Sequence, residues 1–270
     1  MFPLPSSLLP SIASALIYAG VTVYHGTRLA RGATADKRIL CGGGVIAVLL
    51  HALALSSQML APIGLNLDFI TAASLIAAAV IALTLLACAS LPVENLLVLL
   101  YPLGVITTLV AQFVPSGTVP RIDDEPGILI HILLSILAYG VFTIAAFQAL
   151  LVLLQDYQLK HKHPLGPIRA FPPLQTMESL LFGFLWAGWV LLSLSLISGW
   201  VFLENMFAQH LVHKTLLSCL AWIVFSVLLV GRNRLGWRGH VAIRWTLSGF
   251  VLLMLAYFGS KLVREYILHI

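Results

Sequence analysis

Histidine is the residue type whose placement in this sequence could do chemistry. Nine occur. His51 lies in the middle of one apolar run, His131 opens another, His210 and His213 open a third, and His269 is next to last in the chain. A neutral imidazole has one lone pair and one N–H, so it can ligate a metal, pass a proton or hold a hydrogen bond. Two neutral imidazoles facing each other suit axial ligation of haem iron or a late transition metal. Ser135 and Tyr139 follow His131 by four and eight residues, which on a helix continues one face. His25, His161, His163 and His240 fall at a run's end or in basic loops, where interfacial solvation accounts for them.

The elements that must position these residues follow from composition. The chain has 270 residues, of which 60% are hydrophobic and 9% charged. Soluble domains carry about a quarter charged residues, so this balance belongs to a membrane protein. The apolar runs are about 20 residues long, the length at which a helix crosses a hydrocarbon core of about 30 Å. They lack the sustained alternation of a membrane β-barrel. The expected fold is all-α, a polytopic integral membrane bundle of about eight transmembrane helices. The spans fall near 6–25, 40–60, 68–90, 95–114, 127–154, 177–202, 209–231 and 241–264. Residues 1–270 then form a single membrane domain, with four spans in 1–126 and four in 127–270. The opening MFPLPSSLLP lacks the basic region of a signal peptide, so the first run is expected to remain as a span.

Basic residues orient the bundle. Eleven Lys and Arg fall in the loops after spans 1, 3, 5 and 7 or at the start of span 8, and four on the opposite side. The positive-inside rule places the eleven in the cytoplasm and both termini outside. The net charge of +5 is thereby spread over short loops facing anionic lipid, and calls for no nucleic-acid partner. Spans 5 and 7 both run inward. His131 and His213 therefore share a depth although 82 residues separate them. Two readings stay open for them: separate interfacial histidines, or two halves of one site. For mid-membrane His51 a structural hydrogen bond, a haem ligand and a proton relay all remain.

Other chemistry finds little support. The three cysteines form neither CxxC nor CxxCH, which excludes a dithiol oxidoreductase motif and a c-type haem attachment site. CGGG at 41–44 lacks the GK[ST] of a phosphate loop, and its glycines suit close helix contact. Asp123, Asp124 and Glu125 lack the spacing of an EF-hand and read as a solvated loop. No serine-nucleophile, HExxH or dinucleotide-binding motif occurs, so an enzyme is the least supported class.

Two stretches carry a resemblance. HILLSILAYGVFTIAAFQALLVLLQDYQLK (131–160) resembles the segment that begins the core of the CcsA/CcmC cytochrome c assembly membrane proteins. HKTLLSCLAWIVFSVLLVGR (213–232) and GWRGHVAIRWTLSGFVLLMLAYFGSK (236–261) are similar to their YpjD/HemX-like branch. The likeness covers mainly residues 128–270. It implies a multi-pass protein of the bacterial inner membrane that binds or translocates haem b for cytochrome c assembly or tetrapyrrole regulation. In the wider family haem is held at the outer face between histidines, beside a tryptophan-rich loop. The first of these histidines matches His131, and YFGSKLVREYILH places His269 near the second. His213 matches no external histidine of the synthases and stands on geometry. The synthases also carry a WGxxWxWD-like motif, whereas WVFLENMFAQHLVHKT (200–215) has only Trp200. Haem attachment to an apocytochrome is therefore not expected. The resemblance implies membrane lipid and haem-handling proteins as partners. The competing reading is a non-haem accessory subunit of a cation transporter, or an assembly scaffold.

Overall fold

The computed structural model describes residues 6–61, 64–65, 68–114, 126–161, 167–202 and 212–259. The helices are α1 (Leu8–Ala30), α2 (Lys37–Met59), α3 (Phe69–Cys88), α4 (Leu97–Phe113), α5 (Pro126–Lys160), α6 (Leu174–Phe202), α7 (Val212–Leu235) and α8 (His240–Met254). A π turn, Leu255–Gly259, continues α8. Among the described residues, eight helical segments are long and apolar enough to cross a membrane, as the runs in the sequence require. The turn after α2 contains a two-residue antiparallel ladder, β1 (Leu60–Ala61) and β2 (Gly64–Leu65), too short for apolar patterning to register. The chain folds as two compact units: α1–α4 with the 3-10 turn Pro167–Ala170, and α5–α8.

In the first unit the four helices form a ring, each packed on the next and α4 on α1. Asp68 caps α3 by accepting the Thr71 N–H at 2.8 Å, which satisfies one donor left over at a helix start. Glycine sets the close approaches. The Tyr101 hydroxyl lies over Gly44, where any Cβ would overlap it, and donates to the Leu40 carbonyl at 2.7 Å. Gly104 is likewise flush against Tyr18 and Ile81. Lys37 and Glu94 form an ion pair of 2.7 Å at the end where α2 begins.

The second unit is an antiparallel bundle. Phe142 of α5 stacks on Phe225 of α7 with ring centroids 3.9 Å apart and planes 13° from parallel. Gly188 of α6 lies against the Phe142 ring, and Gly249 of α8 against Phe225. Four helices thus meet at two rings and two missing side chains. Trp189 of α6 donates to the Ser226 hydroxyl at 2.7 Å, and Trp222 of α7 donates to Ser193 at 2.8 Å, with the indoles stacked between. These crossed pairs spend both indole N–H groups and fix α6 against α7.

α5 is longer than the span expected at 127–154. Its 35 residues reach about 52 Å at 1.5 Å per residue, well beyond the hydrocarbon core. Polar residues carry the extra turns: Asp156 accepts Lys160 at 2.7 Å and faces His240 at 3.0 Å. At the same end, Gly236 and Gly239 take positive φ angles of 66° and 58°, which turn the chain from α7 into α8. The Gly239 N–H donates to Glu178 of α6 at 2.9 Å, and Arg232 lies 4.6 Å above the Phe182 ring.

Replacing Phe142 by alanine should cost about 3 kcal/mol and lower the melting temperature in detergent, because cavity and lost stacking act together. Leu133→Ala, at a lipid-facing position that is 57% exposed, should leave the melting temperature unchanged. Equal effects of the two substitutions, read by thermal unfolding, would show that the stack does not organise the unit.

Candidate functional site

His131 lies in the second turn of α5, partly buried against the last turns of α6. Its Nδ1 is 2.9 Å from the Ser195 carbonyl oxygen and 3.2 Å from the Ser198 hydroxyl. A carbonyl oxygen only accepts, so Nδ1 must carry the proton. The Ser198 hydroxyl spends its own proton on the same carbonyl at 2.9 Å, which leaves its oxygen as a second acceptor toward the ring. The neutral imidazole is thereby fixed as the Nδ1–H tautomer, and its lone pair is on Nε2. That nitrogen has no hydrogen-bond partner among the described residues.

The next turn reinforces this geometry. Ser135 donates to the His131 carbonyl at 2.7 Å, so the 2.7 Å contact between the Ser135 and Ser195 hydroxyls takes its proton from Ser195. Ser195 and Ser198 are buried, three residues apart on one face of α6. The run LLSLSLISGW (191–200) carried a signal for them, since paired serines within a span normally face a neighbouring helix. Sequence reasoning took up only the α5 half of this network.

The other expected site residues fall in different places. Tyr139 is two turns below His131, but its hydroxyl meets Met254 Sδ and its ring sits among Phe250, Tyr257 and Phe258 of α8 and the π turn. It therefore lines the α8 side of α5, while His131 and Ser135 face α6. His213 is exposed in the first turn of α7, with no contact to His131. His51 belongs to the first unit. His269 and His210 lie outside the described residues, as does the acidic run 123–125.

The aromatic stack supplies a level mark for the two histidines of the second unit. α5 and α7 each pack antiparallel to α6 and so run the same way. His131 precedes Phe142 by eleven residues, and His213 precedes Phe225 by twelve. At 1.5 Å per residue they stand about 16 and 18 Å from the stack, at nearly one level. Trp200, exposed near the C-terminal end of α6, belongs to the same end.

The donor set of this end suits a haem iron better than a hard cation. It offers imidazole nitrogen, exposed apolar side chains such as Ile130 and Phe202 occur at the same end, and no three His, Cys, Asp or Glu side chains converge on a metal position among the described residues.

Fold and site together define a polytopic α-helical membrane protein with an orientation-locked histidine at one end of its second helical unit. Comparison with known proteins sharpens that class. A family model described as Cytochrome C assembly protein matches residues 43–268, so the likeness extends well into the first unit, beyond the stretch where the motifs reside. Inner membrane protein YpjD of Escherichia coli strain K12 is 33% identical over 269 residues, covering 99% of each chain. An uncharacterized 28.8 kDa protein of Azospirillum brasilense is 36% identical over 177 residues, 64% of each chain. Protein HemX of Brevibacillus brevis is 24% identical over 162 residues, 58% of this chain and 60% of that one. No solved structure matches. The chain belongs to the cytochrome c assembly protein family and is a multi-pass inner-membrane protein in contact with lipid.

In protein carrying ¹⁵N-labelled histidine, His131 should give the nitrogen shifts of an Nδ1-protonated, neutral ring near pH 7.5. An Nε2-protonated ring in the spectrum would mean that the Ser195 carbonyl does not hold it.

Proposed function

We propose that this protein binds haem b at the end of its second unit where α5 and α7 begin, in the service of cytochrome c assembly or tetrapyrrole regulation, without haem–protein synthase activity. The observation that carries the reading is the Nδ1–H of His131 held by the Ser195 carbonyl, which turns Nε2 outward as a ligating nitrogen. Metal-bound histidines characteristically donate their other N–H in this way, which fixes the ring and raises its basicity. His213 is the companion that the level of the helices favours, and His269 the alternative that the family resemblance implies. Bound haem would supply an iron centre with axial positions for imidazole. The chain's own part is to orient His131, with Ser135 and Ser198 restraining it, and to present apolar surface to the porphyrin.

Tyr139 lies too deep and faces α8, so its part is to seat the π turn rather than to touch the iron. His51, in the other unit, would serve a separate ligation if any. The chain has only Trp200 in the stretch where the synthases carry their tryptophan-rich motif, and this supports holding or moving haem over attaching it. The orientation that puts this end outside follows from the basic loops and forms part of the same proposal.

Protein purified in mild detergent from haem-replete cells should show a Soret band. His131→Ala should lower haem occupancy about 10-fold or more, and His213→Ala should weaken it and change the ligand-field bands. A wild-type preparation without a Soret band, even after haem is added, would sink the proposal. Full occupancy in His131→Ala would reject this site while leaving haem binding itself standing.

A further inference from the structure

The first unit holds a second concentration of polar groups, which the haem reading does not use. At the end where α1 begins, Ser11 donates to Gln112 Oε1 at 2.9 Å, and Gln58 reaches the same oxygen at 3.4 Å. A turn deeper, Ser14 donates to the Ala47 carbonyl at 2.8 Å. At mid-span, His51 is fully buried with Nε2 2.8 Å from the Ser74 hydroxyl. The Tyr18 ring meets His51 edge-on at 6.1 Å and Tyr101 at 5.5 Å. Beyond Tyr101 the thiols of Cys41 and Cys88 lie close to each other, although the two residues stand in separate apolar runs. The Lys37–Glu94 pair then opens to the surface, with side chains 49% and 24% exposed. α1, α2, α3 and α4 all contribute polar groups to this set, which recur at successive levels from the start of α1 to the start of α2.

Four buried side-chain atoms of the set have no hydrogen-bond partner: Tyr18 Oη, His51 Nδ1, Thr108 Oγ1 and His25 Nδ1. An unpaired buried polar atom costs about 1–3 kcal/mol, so four in one small bundle make a heavy burden for a purely structural core. Polar groups within a membrane bundle characteristically line a path for ions or protons. No three metal-ligating side chains converge here among the described residues, so a bound metal does not account for the set. Hydroxyls, imidazoles and bridging water are instead the groups that hand protons on.

We propose that the first unit is a proton relay, in which these groups and water bridging their unpaired atoms carry protons along the ring of α1–α4. His51 is its central station. A proton arriving at Nδ1 makes the ring cationic, and the Nε2 proton then passes to the Ser74 hydroxyl. Each hydroxyl accepts one proton and releases another. Overall a proton leaves one aqueous face and appears at the other, no group is oxidised or reduced, and the transmembrane proton gradient drives the transfer. Titratable groups bordering the path are Tyr18, Tyr101, His25, Cys41, Cys88 and the Lys37–Glu94 pair.

The full chain reconstituted in liposomes containing a pH-sensitive dye, with a potassium diffusion potential imposed by valinomycin, tests the relay. Interior pH should change about 10-fold faster than in protein-free liposomes, and His51→Phe should abolish the difference. Tyr18→Phe deletes an unpaired oxygen, and Thr108→Val exchanges one for a methyl group of similar size. Both should keep the wild-type melting temperature yet slow the flux severalfold, whereas a merely structural cluster would leave the flux where it was. Leu49→Ala, on the lipid-facing side of α2, should leave it unaltered. Wild-type flux equal to that of empty liposomes overturns the proposal. So does undiminished flux in Tyr18→Phe and Thr108→Val, even if His51→Phe fails to fold. Neither result depends on whether the second unit binds haem.

Discussion

The contact on which the second unit depends is the stack of Phe142 on Phe225. Lipid tails are as apolar as leucine, so helices in a bilayer gain little from burying hydrophobic surface and must be held by close packing. The two rings provide that packing only because Gly188 and Gly249 let them lie against helix backbones. A side chain at either glycine would meet a ring. Around this centre the crossed Trp–Ser pairs fix α6 to α7, and Gln148 donates to the Met177 carbonyl at 3.0 Å between α5 and α6. Rotation and level of the four helices are thereby set by ring packing and by hydrogen bonds between neutral groups.

That setting is what makes His131 chemically distinctive. A histidine near a helix start is ordinarily free to turn and to take either tautomer. Here α6 brings the carbonyl of Ser195 and the hydroxyl of Ser198 to one ring nitrogen, so the other is left with its lone pair in a known direction. Hydrogen bonds inside membrane bundles average only about 0.6 kcal/mol, and the network's value lies in orientation more than in stability. The first unit shows the opposite condition. Its histidines and Tyr18 are enclosed with polar atoms left over, which is a poor way to build a rigid core and a reasonable way to line a path.

The eight spans were legible in the sequence because twenty apolar residues in a row admit few alternatives. Family membership was legible from the runs beginning at His131 and His213. Ser195 and Ser198 were harder to see: serines amid leucines become meaningful only when one knows which helix they face. Helix rotation also separated Tyr139 from His131. Residues eight apart share a face only approximately, and α5 has α6 on one flank and α8 on the other. The meeting of Cys41 with Cys88 was likewise invisible, since it depends on α2 and α3 packing antiparallel. Periodicity tells which residues lie on a helix face and is silent on what lies opposite. The extra turns of α5 were missed because polar helix and polar loop look alike once hydropathy falls.

Those extra turns have a mechanical consequence. From His131 to Lys160 the helix runs 29 residues, about 43 Å, without a proline to bend it. One end of this rod carries the imidazole, and the other carries Asp156 and Lys160 at the water boundary, tied to His240. A rigid shaft joins its ends. An axial displacement of the polar tip would carry the turn of His131 with it, because a helix without a kink moves as one piece along its axis.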